Sequence, residues 1–118
     1  MTPEVAHALE LSIANWKRNE QALDPWKVRQ GIRNCALCRI FMVYVVEWDE
    51  CLGCPIEQAG GRYCKDTPYV NAYFRWEDWA HKKHSTPIHP FILEWRTREA
   101  YHIAAHEERL FLESLRDL

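Results

Sequence analysis

Long apolar runs, glycine and an excess of either charge are all scarce in this chain of 118 residues. The longest apolar run, Ile40 to Val46, has seven residues, against the ~20 that a helix needs to cross a bilayer. No membrane association is therefore expected. Four glycines and six prolines exclude a collagen-like repeat and a low-complexity chain. Fifteen Lys and Arg stand against 17 Asp and Glu, a net charge of -2, which excludes a uniformly basic nucleic-acid coat. Walker loops, Gly-x-Gly-x-x-Gly, Gly-x-Ser-x-Gly and EF-hand patterns are also missing, so no catalytic or nucleotide-binding residue is assigned. The opening Met1-Thr2-Pro3-Glu4 has neither the basic start nor the apolar stretch of a signal peptide. The expectation is a soluble protein of the cytoplasm.

What the chain does have is aromatic and sulfur-bearing side chains. Six Trp and five Cys occur in a sequence that is 47% hydrophobic and 27% charged, a globular composition of about one domain's length. Five is odd, so two disulfides at most would leave one thiol over. In a reducing compartment, paired Cys-x-x-Cys read as metal ligands.

The expected fold is α+β and mainly helical, a single domain over 1–118. Thr2 as N-cap, Pro3 at the first helical position and Glu4 in the first turn predict a helix from Pro3 to about Leu23. Val5, Leu9, Ile13 and Trp16 form its apolar face, and Asp24-Pro25 its stop. Residues 25–67 form a Cys-rich, metal-stapled segment, with a short strand expected over Arg39–Glu47 from its β-branched and aromatic content. Thr67-Pro68 repeats the cap signature and predicts a helix to about His84. Its stripe is Tyr69, Tyr73, Trp76 and Ala80, with Val70 and Phe74 alongside. After the break at Ser85–Pro90, a long helix runs to about Leu115, burying Phe91, Ile92, Trp95, His102, Ala105, Leu112 and Leu115. Its other faces alternate acids and Arg.

The cysteines are spaced Cys35-x2-Cys38-x12-Cys51-x2-Cys54-x9-Cys64. Each Cys-x-x-Cys can offer two thiolates from one tight turn, and zinc takes four ligands at ~2.3 Å in a tetrahedron. A closed four-thiolate site of this kind is structural, and its binding energy becomes folding energy. An iron–sulfur cluster takes the same ligands, and buried or reactive free thiols are the plain alternative. A straight 12-residue strand would span ~40 Å, so the segment between the pairs must bend back, with Trp48-Asp49-Glu50 the candidate turn. Otherwise Cys54 and Cys64 would join the first pair and leave Cys51 spare.

These residues carry a resemblance. Cys35-Ala-Leu-Cys38, Cys51-Leu-Gly-Cys-Pro-Ile56, Gly60-Gly61 and Cys64-Lys-Asp-Thr-Pro-Tyr69 resemble a family of small bacteriophage and prophage proteins of no assigned activity. The Leu9-Glu-Leu-Ser-Ile-Ala-Asn-Trp16 helix and the Glu107–Leu115 stretch are similar too. The resemblance implies a phage origin, in a bacterial host's cytoplasm, and zinc binding.

Other groups are less specific. His102-x3-His106 could share a second metal for a hydrolase, but no Glu follows the first His, and an internally bonded core His is the simpler expectation. His81-Lys-Lys-His84 reads as a solvated helix end or a phosphate site. Glu47, Asp49 and Glu50 read as a solvated turn. Trp16, Trp76 and Trp95 are expected in the core, while Trp26, Trp48 and Trp79 lie near element edges and are candidate partner anchors. Lys27, Arg29, Arg33 and Arg39 form a stretch with no acid between Pro25 and Val46, a small basic footprint for nucleic acid. The leading expectation is a non-enzymatic interaction protein acting on a bacterial host protein. A zinc-knuckle nucleic-acid binder comes next, and the long last helix could support a homo-oligomer.

Overall fold

The computed structural model describes residues 1–30, 35–45, 48–51, 54–59, 67–85 and 90–117. As expected, the chain is mainly helical. Five helices are formed among these residues: α1 (Pro3–Asn19), α2 (Ala36–Phe41), α3 (Pro55–Gln58), α4 (Pro68–Ser85) and α5 (Pro90–Ser114). Short 3-10 turns occur at Pro25–Lys27 and Leu115–Asp117. None of the described helices is long and apolar enough to cross a membrane.

Both predicted caps form. Thr2 Oγ1 accepts the N–H of Val5 at 3.2 Å, and Thr67 Oγ1 accepts the N–H of Tyr69 at 3.3 Å, each just before a proline that suits the first helical position. The stop of α1 differs from expectation. The helix ends at Asn19 rather than near Leu23, because Asn19 clamps a later stretch of backbone. Its Oδ1 accepts the Arg29 N–H at 3.0 Å while its Nδ2 donates to the Arg29 carbonyl at 2.8 Å. Asn15 Nδ2 donates to that same carbonyl at 2.7 Å. To reach them the chain must turn back along α1. Asp24-Pro25 is then a start instead of a stop: Asp24 Oδ1 caps the N–H of Trp26 at 2.8 Å and opens the first 3-10 turn.

Within Arg39–Glu47 the extended part is shorter than expected. Arg39 to Phe41 belong to α2, and Met42–Val45 then pairs antiparallel with Trp48–Cys51. The register sets Met42 opposite Cys51 and Val45 opposite Trp48. The chain thus reverses between Val45 and Trp48, ahead of the expected Trp48-Asp49-Glu50.

The core is built on the α4/α5 pair, with α1 lying against α5 and α2 against α1. Only residues 86–89 separate α4 from α5, a connection length that makes helices neighbours. The seam alternates small and large side chains. Ala72, Ala104 and Ala105 let the backbones approach, and Trp79 and Tyr101 fill the space between, their rings 5.6 Å apart. Leu9, Ile13 and Trp16 of α1 and Leu37 of α2 complete the cluster with Leu112 and Leu115. Burying a large aromatic or aliphatic side chain in this way contributes ~1.5–3 kcal/mol.

The buried face of α4 is only partly the expected one: Tyr69 and Trp76 pack half-buried against the core, but the face is turned toward Ala72 and Trp79. Tyr73 and Phe74 are 37% and 60% exposed, whereas Ala72 and Trp79 are fully enclosed. On α5, His102, Ala105 and Leu112 fall on or beside the buried side as expected, and Leu115 is buried at the start of the 3-10 turn that follows. The side chains of Phe91, Ile92 and Trp95 lie outside the described residues. Two acid–base links tie the ends of the fold together. Arg116 grips Glu10 of α1 through two bonds of 2.7 and 2.9 Å, and Arg109 bonds Glu20 and Glu113, each at 2.8 Å.

Candidate functional site

The cysteine site begins at the N-terminal edge of α2. Cys35 directly precedes the helix and lies half-buried against the core, and the N–H of Cys38 points at its Sγ from 3.4 Å. The Cys38 thiol beside it acts most strongly to lower the Cys35 pKa. The backbone N–H groups of Cys38 and Leu37 and the Ser12 hydroxyl add to the effect. Burial opposes them, and the outcome is a thiol held at about 6 against an ordinary 9.0. The shift favours the thiolate, the form that binds metals.

Cys54 stands to α3 as Cys35 stands to α2, directly before the first helical residue, and it is 3% exposed. Cys35, Cys38 and Cys54 are not joined in disulfides. Cys51 enters through its backbone alone: the hairpin register returns it beside Met42, one helical turn beyond Cys38. Cys64 and the Cys51 side chain lie outside the described residues. Among the described residues no three His, Cys, Asp or Glu side chains are grouped closely enough to hold an ion.

Sequence reasoning missed a buried acid beside these thiols. Glu108, counted there among the outward-facing acids of the last helix, is 3% exposed. Its Oε2 has no hydrogen-bond partner among the described residues. Burial first, and the neighbouring Cys35 second, raise its pKa from 4.5 to about 8. The signal was available as spacing. Tyr101, Ala104, Glu108, Leu112 and Leu115 recur at three- and four-residue steps along one face, and Glu108 occupies a core position in that row.

The remaining candidates are dispersed. Lys27, Arg29 and Arg39 are exposed, although the Arg29 backbone is the segment held by Asn15 and Asn19; Arg33 lies outside the described residues. Trp26 is 61% exposed, at the head of the 3-10 turn. The Trp48 side chain is outside the described residues. Trp79 is corrected: it is fully buried and cannot meet a partner, because it packs between Ala72 and Tyr101 at the centre of the α4/α5 seam.

His102 spends its Nε2 hydrogen on the carbonyl of Ala22, and His106 Nδ1 faces Arg109 Nη2 at 3.0 Å and Glu20 at 3.5 Å. Both rings have structural partners, and His102 is the internally bonded core His. No protein family, curated protein or solved structure matches the chain.

Proposed function

We propose that the chain is a small zinc-stapled interaction protein without catalytic activity, of the bacteriophage kind its cysteine pattern resembles, acting on a host protein in the bacterial cytoplasm. The observation that carries the metal reading is the Cys35–Cys38 turn. Backbone amides and a second thiol converge on one sulfur and favour its thiolate, the donor that zinc prefers. The hairpin register supports it by bringing the second cysteine pair back toward the first.

Cys35 and Cys38 would hold the ion with two of Cys51, Cys54 and Cys64. Four thiolates leave no open position, so the ion's contribution is folding energy for the short elements between α1 and α4. Elemental analysis of protein purified without added metal tests this. About one zinc per chain is expected, falling well below that in a Cys35→Ser variant. Iron with visible charge-transfer absorbance, or no metal, overturns the reading.

Nucleic-acid binding is the second reading, favoured by Lys27 and Arg29, exposed cations that directly follow the exposed Trp26 in sequence. It requires retardation of mixed DNA or RNA at low salt that fades steeply as salt rises. A second, hydrolytic metal on His102 and His106 has no such support, because the His102 Nε2 is already engaged.

A further inference from the structure

The outer side of α4 carries an aromatic strip that the core uses only in part, through half-buried Trp76. Trp26 stands edge-on to Trp76, ring centroids 6.2 Å apart, and the Trp76 indole donates to the Pro25 carbonyl at 2.7 Å. That bond locks the 3-10 turn onto the helix and holds Trp26 out at the surface. Tyr73 lies 6.3 Å from Trp76 and 5.9 Å from Phe74, which extends the strip along the helix. Trp26, Tyr73 and Phe74 remain 61%, 37% and 60% exposed. Large apolar side chains grouped this way mark interaction surfaces rather than ordinary scatter.

The charges around the strip select among occupants. Glu77 follows Tyr73 by one helical turn and bonds its hydroxyl, raising the Tyr73 pKa. Asp78 lies one turn beyond Phe74, and both acids are exposed. Phe74, Trp76, Glu77, Asp78, Ala80 and His81 line one shallow depression here. Aromatic faces attract cations through the ring quadrupole, and carboxylates at the rim add to that attraction. A polyanion would stack on the same rings but meet two like charges. Lys27 and Arg29, exposed cations that follow Trp26 in sequence, oppose the attraction for cations at that end of the strip, whereas the two acids edge the Tyr73–Phe74 end. By helix phase, exposed Arg75 falls between the buried face and Asp78 and not on the Tyr73–Phe74 side.

We propose that the strip formed by Trp26, Trp76, Tyr73 and Phe74, edged by Glu77 and Asp78, binds an extended basic peptide segment through arginine or lysine side chains stacked on the rings. This deepens the interaction-protein reading by giving the partner's contact segment a chemistry, and it does not depend on the metal.

The test is titration of the zinc-containing full-length chain with a peptide of alternating arginine and glycine, followed by tryptophan fluorescence and by amide chemical shifts. Binding is expected at low salt, with the largest changes on Trp26 and on residues 73–78. Phe74→Ser, and the pair Glu77→Gln with Asp78→Asn, should each weaken it about fivefold or more. Ile103→Ser, at a residue 60% exposed on α5, should leave it unchanged. Far-ultraviolet circular dichroism keeps loss of fold apart from loss of contact.

No binding by the basic peptide overturns the proposal. So does preferential binding of an oligothymidylate, which would point to nucleic acid, or self-association abolished by Phe74→Ser, which would point to a second copy. Zinc is measured on the same sample. One equivalent of zinc with no peptide binding defeats this inference alone, whereas peptide binding without zinc defeats only the metal reading.

Discussion

Replacing Glu108 with Gln should stabilise the protein at neutral and alkaline pH and do little at pH 5. The carboxyl is 3% exposed, has no partner for Oε2 among the described residues, and is held at about 8 chiefly by burial. In the unfolded chain it returns to about 4.5. Between those values the native state keeps a proton that the unfolded state has lost, so stability falls as pH rises through the window. At ~1.4 kcal/mol per pKa unit, the whole interval corresponds to an upper limit on the order of 4–5 kcal/mol. Relaxation of the surroundings should leave roughly half of that. Glutamine has nearly the same shape and no proton to lose. The variant's advantage over the parent should therefore grow from near zero at about pH 5 to ~2 kcal/mol at about pH 8. Urea unfolding of both proteins at matched zinc concentration and a series of pH values measures it. Glu107→Gln, at an exposed neighbour, is the control and should be flat with pH. An advantage for Glu108→Gln that is constant across the range, or larger at pH 5, would refute the reasoning.

Trp79→Ala should destabilise the fold by ~3–5 kcal/mol, the usual loss for a fully buried large aromatic, whereas Trp26→Ala should stay within about 1 kcal/mol because that ring is mostly exposed; equal losses in denaturant unfolding would contradict the assigned positions. Asn19→Ala removes both Asn19 bonds to Arg29; the carbonyl keeps Asn15, but the N–H loses its Asn19 acceptor, an expected loss of ~1–3 kcal/mol. Hydrogen exchange at the Arg29 amide should accelerate well beyond the change in global stability, and an unaltered rate would count against the clamp. The zinc stoichiometry of the Cys35→Ser variant and the peptide titration of the α4 strip complete the set.

Much of the helical framework was legible because its signals are local. Thr2-Pro3 and Thr67-Pro68 announce helix starts through a hydroxyl and a fixed φ, and both form as read. Cysteine spacing likewise put Cys35 and Cys38 on one turn, since two residues between them suffice to bring the Cys38 N–H to the Cys35 Sγ. The Asp24-Pro25 signal was real but ambiguous. A capping Asp with a following Pro terminates one helix and initiates the next equally well, and only the trace of the chain tells which.

Tertiary structure decided everything that depends on which face meets which. Asn19 ends α1 because Arg29 happens to pass beside it, a contact ten residues away that no local preference encodes. Along α4, Tyr73 and Phe74 match an apolar stripe as well as Ala72 and Trp79 do. The narrow seam with α5 selects the pair that combines one small and one large side chain, which expels Tyr73 and Phe74 to the surface. Glu108 shows the same rule from the polar side. From sequence alone an acid reads as a surface residue, since burying a charge is expensive; the helix phase of α5 places this one inside, and the environment answers by raising its pKa instead of moving it out. The amino-acid order thus determined the three long helices, the capped starts of α1 and α4 and the Cys35–Cys38 turn, whose signals lie within a few residues. Burial, and with it the aromatic strip and the protonated acid, was decided by packing, because exposure is a property of a pair of surfaces and not of either one.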